Sequence, residues 1–129
     1  MNKTNVKTAS PEGSRSMCPI ANLLDIVGDK WTLLVVRDLL LLGKRRYGEF
    51  QNSPEAIPTN ILADRLKRLE AAGLVKKEFY QDNPPRAEYF LTPKGADLEP
   101  ILKAMGKWGK QYIPGVVLPE KVLSPEISE

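Results

Sequence analysis

The chain has 129 residues, of which 42% are hydrophobic, with a net charge of +3 and a pI near 9.0; it can bury one small core, and its mild basicity is compatible with nucleic acid as a partner. With no histidine and one cysteine, it lacks a Ser-His-Asp or Cys-His catalytic pair, an intrachain disulfide and a zinc cluster, so we expect neither an enzyme nor a metal or cofactor. It also lacks a secretory signal and an apolar run long enough to span a bilayer, which predicts a cytoplasmic protein without a membrane partner.

The first third of the chain predicts two helices after a disordered arm. Residues 1–16 are polar and aperiodic, as in disordered segments. A first helix is expected from Pro19, a residue favoured in the first helical turn, to a stop at Gly28. A second helix is expected from about Lys30 to Gly43. Because it is apolar almost all round, it should be buried in the core of the domain.

The segment that follows predicts a helix-turn-helix. Its first helix is short, from Tyr47 to Asn52, with Tyr47 and Phe50 turned inward. After a proline-containing turn, the second helix opens at Pro58 or Thr59. Proline tolerates the first helical position, and threonine can cap the exposed amides.

The second helix of this motif, at about residues 59–72, has a core face and a polar face. Leu62, Leu66 and Leu69 recur at i, i+4 and i+7 and form one apolar stripe, and Gly73 can end the helix in the left-handed conformation. The opposite face is polar, basic and light enough to lie against a DNA groove; it comprises Asn60, Asp64, Lys67, Arg68 and Ala71. A solvated surface helix has the same pattern, so this face alone leaves both interpretations open.

A β-hairpin predicted at residues 74–91 favours the interpretation that the polar face of the preceding helix binds DNA. Both of its strands are rich in β-branched and aromatic residues, and the segment from Gln81 to Arg86 between them has the composition of a turn. The double proline in this turn excludes a tight two-residue connection, so we expect an extended, projecting tip with Arg86 at its C-terminal edge. A projecting basic tip can reach a phosphate or the minor groove.

A last helix is predicted from the Thr92-Pro93 pair, at about residues 93–113, with a kink at Pro100. Its apolar stripe and the apolar face of the first helix exceed what a small domain can bury around the second helix, which predicts a two-fold dimer seam. The expected interface residues are Ile20, Leu23, Leu24, Val27, Leu98, Leu102, Met105, Trp108 and Tyr112. Residues 114–129 predict an irregular tail.

Three segments carry a family resemblance: CPIANLLDIVGDKWTLLVVRDLL, RRYGEFQNSPEAIPTNILADRLKRLEAAGLV and PPRAEYFLTPKG, followed by a closing Trp-containing helix. In this order and spacing they resemble the HxlR-type family of bacterial winged helix-turn-helix transcriptional regulators, over about Met17 to Tyr112. The resemblance implies a homodimer whose reader helices enter adjacent major grooves of a pseudo-palindromic operator, with the wings on flanking backbone or minor groove. By position, the reader is Thr59 to Leu69 and the wing tip is Asp82 to Arg86. Pro58 stands where many members have a serine.

The sequence thus predicts a mainly α fold with a small β-hairpin wing, a winged helix-turn-helix at residues 17–113 that dimerises through its N- and C-terminal helices. We expect contacts to base edges of double-stranded DNA from Asn60, Arg68, Thr59, Asp64 and Lys67. We expect phosphate contacts from Lys44, Arg45, Arg46, Arg65, Lys76 and Arg86. Because Arg65 lies beside the apolar stripe, an intramolecular ion pair with Glu49 or Asp38 is an equally supported alternative.

Cys18 is a candidate redox sensor. It precedes Pro19 at a helix start, where unpaired amides and the positive helix end can lower the pKa of a thiol. The resemblance adds that some relatives sense electrophiles or oxidants through a cysteine in this region. A small buried hydrophobe is the structural alternative. Because each chain has one cysteine, such a switch needs an intersubunit disulfide, a mixed disulfide or alkylation.

One further interpretation is compatible with DNA binding, and two others belong to different classes. A small-molecule effector can bind at the dimer seam, in a pocket lined by Trp31, Met105, Trp108 or Tyr112, although aromatic residues at helical spacing are usually core. A winged-helix module used for protein contact would keep the fold without specific DNA binding, but the basic excess around the reader helix argues against it. An enzyme that acts through Cys18 has no histidine to serve as its base.

Overall fold

A computed structural model describes residues 16–117 of the chain. This segment has six helices and a two-stranded antiparallel sheet, namely α1 (Pro19–Val27), α2 (Thr32–Leu41), α3 (Tyr47–Gln51), α4 (Thr59–Ala71), β1 (Val75–Asp82), β2 (Pro85–Leu91), α5 (Pro93–Ala96) and α6 (Glu99–Tyr112). The mainly α fold with a β-hairpin wing is therefore confirmed. Residues 1–15 of the predicted arm and residues 118–129 of the predicted tail lie outside the described segment. None of the helices within that segment is long and apolar enough to cross a membrane.

The hydrophobic core is assembled around α2. Val36 of α2 and Phe50 of α3 are fully buried, and the α4 residues Leu62, Leu66 and Leu69 are buried with them. The predicted apolar stripe of α4 is confirmed. Burial of each such side chain contributes about 1.5–3 kcal/mol through removal of apolar surface from water. Because α4 buries this stripe, its opposite face remains at the surface.

The ends of the first two helices follow from capping chemistry. Pro19 lies in the first turn of α1, and the amide of Gly28 donates to the carbonyl of Leu24 at 2.7 Å at the other end, so both predicted boundaries are confirmed. At the start of α2, the carboxylate of Asp29 accepts the amides of Trp31 (2.9 Å) and Thr32 (3.0 Å). A carboxylate at a helix start satisfies amides that have no partner within the helix.

Helix α4 begins at Thr59, one of the two predicted positions. Pro58 is the N-cap residue, with extended backbone, and no side chain caps the helix. The threonine cap is not formed, because Thr59 lies within the first turn rather than at the N-cap position before it. The carbonyl of Thr59 instead accepts the phenol hydroxyl of Tyr47 at 2.6 Å. This hydrogen bond links the two helices of the helix-turn-helix.

The hairpin has a shorter tip than predicted. Asp82 pairs with Pro85, so only Asn83 and Pro84 connect the strands. The expectation of an extended tip is wrong. The Asn83-Pro84 peptide bond is cis. Arg86 lies directly after this turn, and a β-bulge interrupts the register at Tyr80.

The predicted last helix is two helices. The hydroxyl of Thr92 accepts the amide of Gly95 at 3.1 Å and caps α5, as expected. The chain then leaves the helix after Ala96 and starts α6 at Glu99, with Pro100 in its first turn rather than at a kink. Since proline has no amide hydrogen to donate, it is tolerated at a helix start and not within a continuous helix.

Side chains that follow the wing complete the C-terminal end of α4. The ammonium of Lys94 donates to the carbonyl of Ala72 at 2.8 Å, and the hydroxyl of Thr92 donates to the carbonyl of Gly73 at 2.6 Å. The last carbonyls of a helix have no partner within the helix, and cations interact favourably with that end. These bonds fix the base of the hairpin against the end of α4.

Candidate nucleic-acid interface

The exposed face of α4 carries most of the side chains predicted to contact DNA bases. Asn60, Lys67 and Arg68 are exposed, and Arg68 forms an ion pair with Asp64, 2.9 Å from its Nε to the carboxylate. Within residues 16–117, Asn60 and Lys67 have no polar side-chain partner. Residues at i, i+4, i+7 and i+8 share a helix face, so an amide, an ammonium and a guanidinium lie in one row. Thr59 lies at the edge of this row, where its hydroxyl accepts the amide of Gln51 at 3.3 Å.

Arg65 points toward the protein rather than toward the proposed DNA. Its guanidinium donates to Asp29 at 3.1 Å and to Asp64 at 2.5 Å, and its side chain is only 17% exposed. The alternative of an intramolecular ion pair is therefore confirmed in kind, but the partners are Asp29 and Asp64 rather than Glu49 or Asp38. These ion pairs do not support the expected phosphate contact. Asp29 was missed, although Asp29-Lys30-Trp31-Thr32 has the spacing of a helix-capping aspartate. Burial raises the pKa of Asp29, but the bonds from Thr32, Trp31 and Arg65 outweigh it and hold that pKa well below its usual range.

Lys44 is also occupied within the protein. Its ammonium donates to the hydroxyl of Ser53 at 2.9 Å and lies 3.9 Å from the buried carboxylate of Asp38. Its side chain is 20% exposed. A lysine held between a hydroxyl and a buried carboxylate is not free to reach a phosphate, so the predicted phosphate contact from Lys44 is wrong.

Two arginines at the start of α3 face the hairpin. Arg46 forms an ion pair with Glu88 of β2 at 2.9 Å, and its guanidinium lies 4.1 Å from the ring centre of Tyr80. Arg45 stacks on the wing residue Phe90 at 5.1 Å. The carboxylate of Glu49 accepts the backbone amides of both arginines, and these hydrogen bonds lower its pKa. Both guanidiniums remain exposed at the surface.

A groove of about 850 Å³ separates α3 from the hairpin. Its positive charges come from Arg46, Lys77 and Arg86, and its aromatic walls include Tyr47 and Tyr89. The groove therefore brings the predicted phosphate-binding residues Arg46 and Arg86 together across the wing. Three cations around one open groove are suited to a polyanionic backbone.

The structure places Lys77, not Lys76, in this groove. Neighbouring residues of a strand point to opposite faces, and Lys76 lies on the other face of β1, where it pairs with Glu78 at 3.1 Å and approaches the ring of Phe90. Lys76 therefore does not join Arg46 and Arg86 around this groove. Strand alternation, once the pairing with β2 is known, would have identified Lys77.

A second exposed surface, called here the α1/α6 face, is apolar. It consists of side chains that are more than half exposed, namely Ile20, Leu24, Met105, Trp108 and Tyr112. All five were predicted interface residues. Leu23 and Leu102 are half-buried beside them and pack on the core. Val27 and Leu98 are 5% and 6% exposed, so their assignment to a dimer interface is wrong: the core of one chain already buries them.

A groove of about 520 Å³ runs along the α1/α6 face, between α1, α2 and α6. Of the four residues predicted to line an effector pocket, only Met105 lines it. Trp31 lies against a separate, very small cavity under α2, and Trp108 stacks on Tyr112 at 5.0 Å between ring centres. The predicted aromatic pocket is therefore not assembled in the single chain.

Cys18 is the N-cap residue of α1 and is exposed. The alternative of a buried hydrophobe is wrong. Its side chain makes no capping bond to the helix amides, while its own amide donates to the hydroxyl of Ser16 at 2.9 Å and its carbonyl accepts the side-chain amide of Asn22 at 2.8 Å. The backbone around the thiol is thus held, and the sulfur faces solvent.

Two helices joined by a short turn, the second with an exposed polar face, followed by a basic hairpin, define a winged helix-turn-helix protein. Residues 26–116 match the family model described as HxlR-like helix-turn-helix, and the chain belongs to this family. It is 37% identical over 97 residues to the uncharacterized HTH-type transcriptional regulator sll1512 of Synechocystis sp., covering 75% of this chain and 71% of that protein.

Two solved structures show the same fold. The structure of PA1607 matches with a TM-score of 0.71 and 37% identity, covering 84% of this chain and 76% of that one. The redox regulator HypR in its oxidized form matches with a TM-score of 0.65 and 38% identity, covering 73% and 96%. The protein is therefore a transcriptional regulator with a helix-turn-helix domain, and its relatives are regulators rather than enzymes.

Proposed function

We propose that the protein binds a pseudo-palindromic operator sequence-specifically as a homodimer, with α4 of each protomer in a major groove. The observation that carries this proposal is the exposed row of Asn60, Lys67 and Arg68 beside a groove lined by three cations of α3 and the wing. Asparagine suits adenine and arginine suits guanine, and each good bidentate contact gives about 1–3 kcal/mol of discrimination.

We assign the cations around the wing a different role from the side chains of the reader helix α4. Arg45, Arg46, Lys77 and Arg86 are exposed on α3 and the hairpin, so we assign them to phosphates, which fix register without reading sequence. Lys44 and Arg65 leave this set because their side chains are only 20% and 17% exposed and acidic partners hold them. Lys76 leaves it because it does not line the groove between α3 and the hairpin. Three of these four residues, Arg46, Lys77 and Arg86, line one groove, while Arg45 lies against Phe90.

The homodimer is proposed from the α1/α6 face. Apolar side chains exposed together on α1 and α6 of one chain favour a partner surface, and a two-fold axis would supply the same surface from a second copy. The two α4 helices would then be separated by about 34–36 Å, one turn of DNA. Coverage of this face by a second copy also fills its groove, which argues against a resident small molecule there.

DNA binding is tested by selection from a random duplex pool with the purified full chain, followed by affinity measurements on the selected operator and on a scrambled version. Arg68→Ala is expected to reduce the ratio of the two affinities by about tenfold or more. Arg86→Ala is expected to weaken binding to both sequences equally and to reduce the slope of log affinity against log salt by about one.

Lys107→Ala serves as the matched control, because it removes an exposed positive charge from α6, away from the reader and the wing. It should leave both affinities close to those of the unmodified protein. Identical behaviour of Arg68→Ala and Arg86→Ala would contradict the assignment of roles. If selection yields no preferred sequence, the protein-contact interpretation of the winged helix replaces DNA recognition.

We also propose that Cys18 makes operator binding responsive to oxidants. The exposure of its sulfur and the likeness to the redox regulator HypR support this proposal. Each chain has one cysteine, so the product is an intersubunit disulfide, a mixed disulfide or an alkylated thiol, and we propose the intersubunit disulfide. Two Cys18 thiols lose two protons and two electrons to hydrogen peroxide, which is reduced to two molecules of water.

The redox proposal is tested by operator binding before and after hydrogen peroxide, with non-reducing electrophoresis of the same samples. The unmodified protein should change its affinity and form a covalent dimer that dithiothreitol reverses, while Cys18→Ser should do neither. Met17→Leu removes the adjacent oxidisable side chain and should behave like the unmodified protein. An unchanged response in Cys18→Ser would end the proposal.

A further inference from the structure

One carboxylate on α4 holds two arginines. The same oxygen of Asp64, Oδ2, lies 2.5 Å from Nη1 of Arg65 and 2.9 Å from Nε of Arg68. Arg65 is 17% exposed and Arg68 is 60% exposed. Asp64 therefore connects an arginine that faces the protein with an arginine on the proposed reading face.

The buried side of this chain of contacts is fixed. Arg65 donates from Nε to Asp29, 36 residues earlier, and Asp29 also accepts the amides of Trp31 and Thr32 at the start of α2. Asp29 belongs to the turn between α1 and α2 rather than to α4. Asp64 is thus positioned by contacts to the body of the domain, through Arg65 and Asp29, as well as by its own helix.

The contact at Arg68 is an ion pair. Oδ2 of Asp64 lies 2.9 Å from Nε of Arg68, and within residues 16–117 the terminal nitrogens of Arg68 have no hydrogen-bond partner. Guanine offers two acceptors, O6 and N7, to a bidentate arginine. An arginine whose Nε lies against a carboxylate can still offer its terminal nitrogens to that base, and the attraction between the two charges disfavours its rotation toward other acceptors.

The ion pair between Asp64 and Arg68 adds little to the stability of the fold, so stability does not explain why this helix face carries a carboxylate at Asp64. Exposed i,i+4 ion pairs contribute little to folding, and a negative charge on a surface that faces phosphates weakens binding to every sequence. A carboxylate that lowers the affinity for all DNA sequences while it restricts Arg68 favours discrimination between bases over the strength of DNA binding.

The geometry points to Asp64 as a positioning residue that sets the base preference of Arg68, through an ion-pair chain anchored by Arg65 on Asp29. This inference rests on the proposed function, because it requires that α4 reads DNA. It adds a residue that determines specificity by acting on another side chain rather than on a base.

The test compares Asp64→Asn with Glu70→Gln by measuring affinity for the selected operator and for all its single-base variants. Glu70 is exposed on the same helix and forms no ion pair within the described segment, so its variant removes an equal charge without touching the arginines. Asp64→Asn should lower discrimination about tenfold at one base pair per half-site, the one that Arg68→Ala also affects. Glu70→Gln should raise affinity for all sequences and leave the preference profile unchanged.

A double variant separates action through Arg68 from direct contact with DNA. In an Arg68→Ala background, Asp64→Asn should cause no further change of the preference profile. An unchanged profile in the single variant, or additive changes in the double variant, would overturn the inference. If the unmodified protein itself shows no base preference, the proposed function fails first, and thermal melting of each variant shows that the proteins compared are folded.

Discussion

The hydroxyl of Ser53 donates a hydrogen bond to the carboxylate of Asp38, 15 residues earlier in the chain. Both residues are buried, and the bond joins α2 to the turn between α3 and α4. Arg37 donates to the same carboxylate at 2.8 Å and also holds Glu55 of that turn. This network fixes the helix-turn-helix against the core.

The first prediction concerns the charge of Asp38. Asp38→Asn keeps the size of the side chain but removes the anion that faces Arg37, Lys44 and Ser53. Because Arg37 retains Glu55, and Lys44 retains Ser53, we expect a loss of about 1–3 kcal/mol in the free energy of unfolding rather than the larger cost of an isolated buried charge. Urea denaturation measures this loss.

Asp97→Asn is the control for Asp38→Asn. Asp97 is exposed at the end of α5, so its neutralisation should change the unfolding free energy by less than about 0.5 kcal/mol. Equal effects of the two substitutions would show that the Asp38 network does not stabilise the fold.

The second prediction uses two glycines. A methyl group at Gly95 would lie 2.1 Å from the carbonyl oxygen of Leu74 and 2.9 Å from a side-chain methyl of Leu91, whereas one at Gly48 would meet no atom within 4 Å. Gly95→Ala should therefore cost about 1–3 kcal/mol or more through overpacking. Gly48→Ala, within helix α3, should stabilise the protein by up to about 1 kcal/mol. Thermal denaturation of both variants tests the contrast, and a neutral Gly95→Ala would contradict the tight packing of α5 on the wing.

Local patterns in the sequence predicted the elements of this fold well. The stripe of Leu62, Leu66 and Leu69, the first-turn proline Pro19 and the threonine cap at Thr92 each act within a few residues, and the structure confirms all of them. Such signals depend on helical periodicity and on backbone groups close in sequence. They could therefore be read without knowledge of the tertiary structure.

Side-chain pairing could not be predicted in the same way. Arg65 had several acidic candidates, and its partner Asp29 lies 36 residues away, so only the packing of α4 on α2 selects it. Likewise, the choice between Lys76 and Lys77 requires the pairing of β1 with β2. Contacts that depend on how elements pack carry no local signal. Five of the predicted DNA or interface assignments changed for this reason, at Lys44, Arg65, Lys76, Val27 and Leu98.

The third prediction is a pH dependence at Asp29. The pKa of its carboxyl is well below the usual range in the folded protein, while the unfolded chain titrates near about 3.9. Between these two pKa values the unfolded state thus binds more protons than the folded state. The stabilisation of the fold by the Asp29 carboxylate is present above about pH 4 and is lost progressively as the pH falls toward about 2. Asp29→Ala should cost about 0.5–2 kcal/mol at neutral pH through loss of the helix cap. Denaturant titrations should show this difference shrinking between pH 5 and about 2, and a constant difference would contradict the charged cap.

The last prediction concerns the α1/α6 face. Leu24 and Met105 are 52% and 54% exposed on this face, so a charge at either position should be accepted by a single chain and rejected by an apolar seam between two chains. Leu24→Arg and Met105→Glu should each shift the sedimenting species from twice the chain mass of 14.4 kDa to that mass. Each should also weaken binding to a two-half-site operator much more than to one half-site, because linked binding of two readers is lost.

Phe79→Glu, which replaces a 59% exposed aromatic residue on the wing, should remain dimeric. A protein that sediments as a monomer without any substitution would contradict the homodimer while leaving a single reader able to bind one half-site.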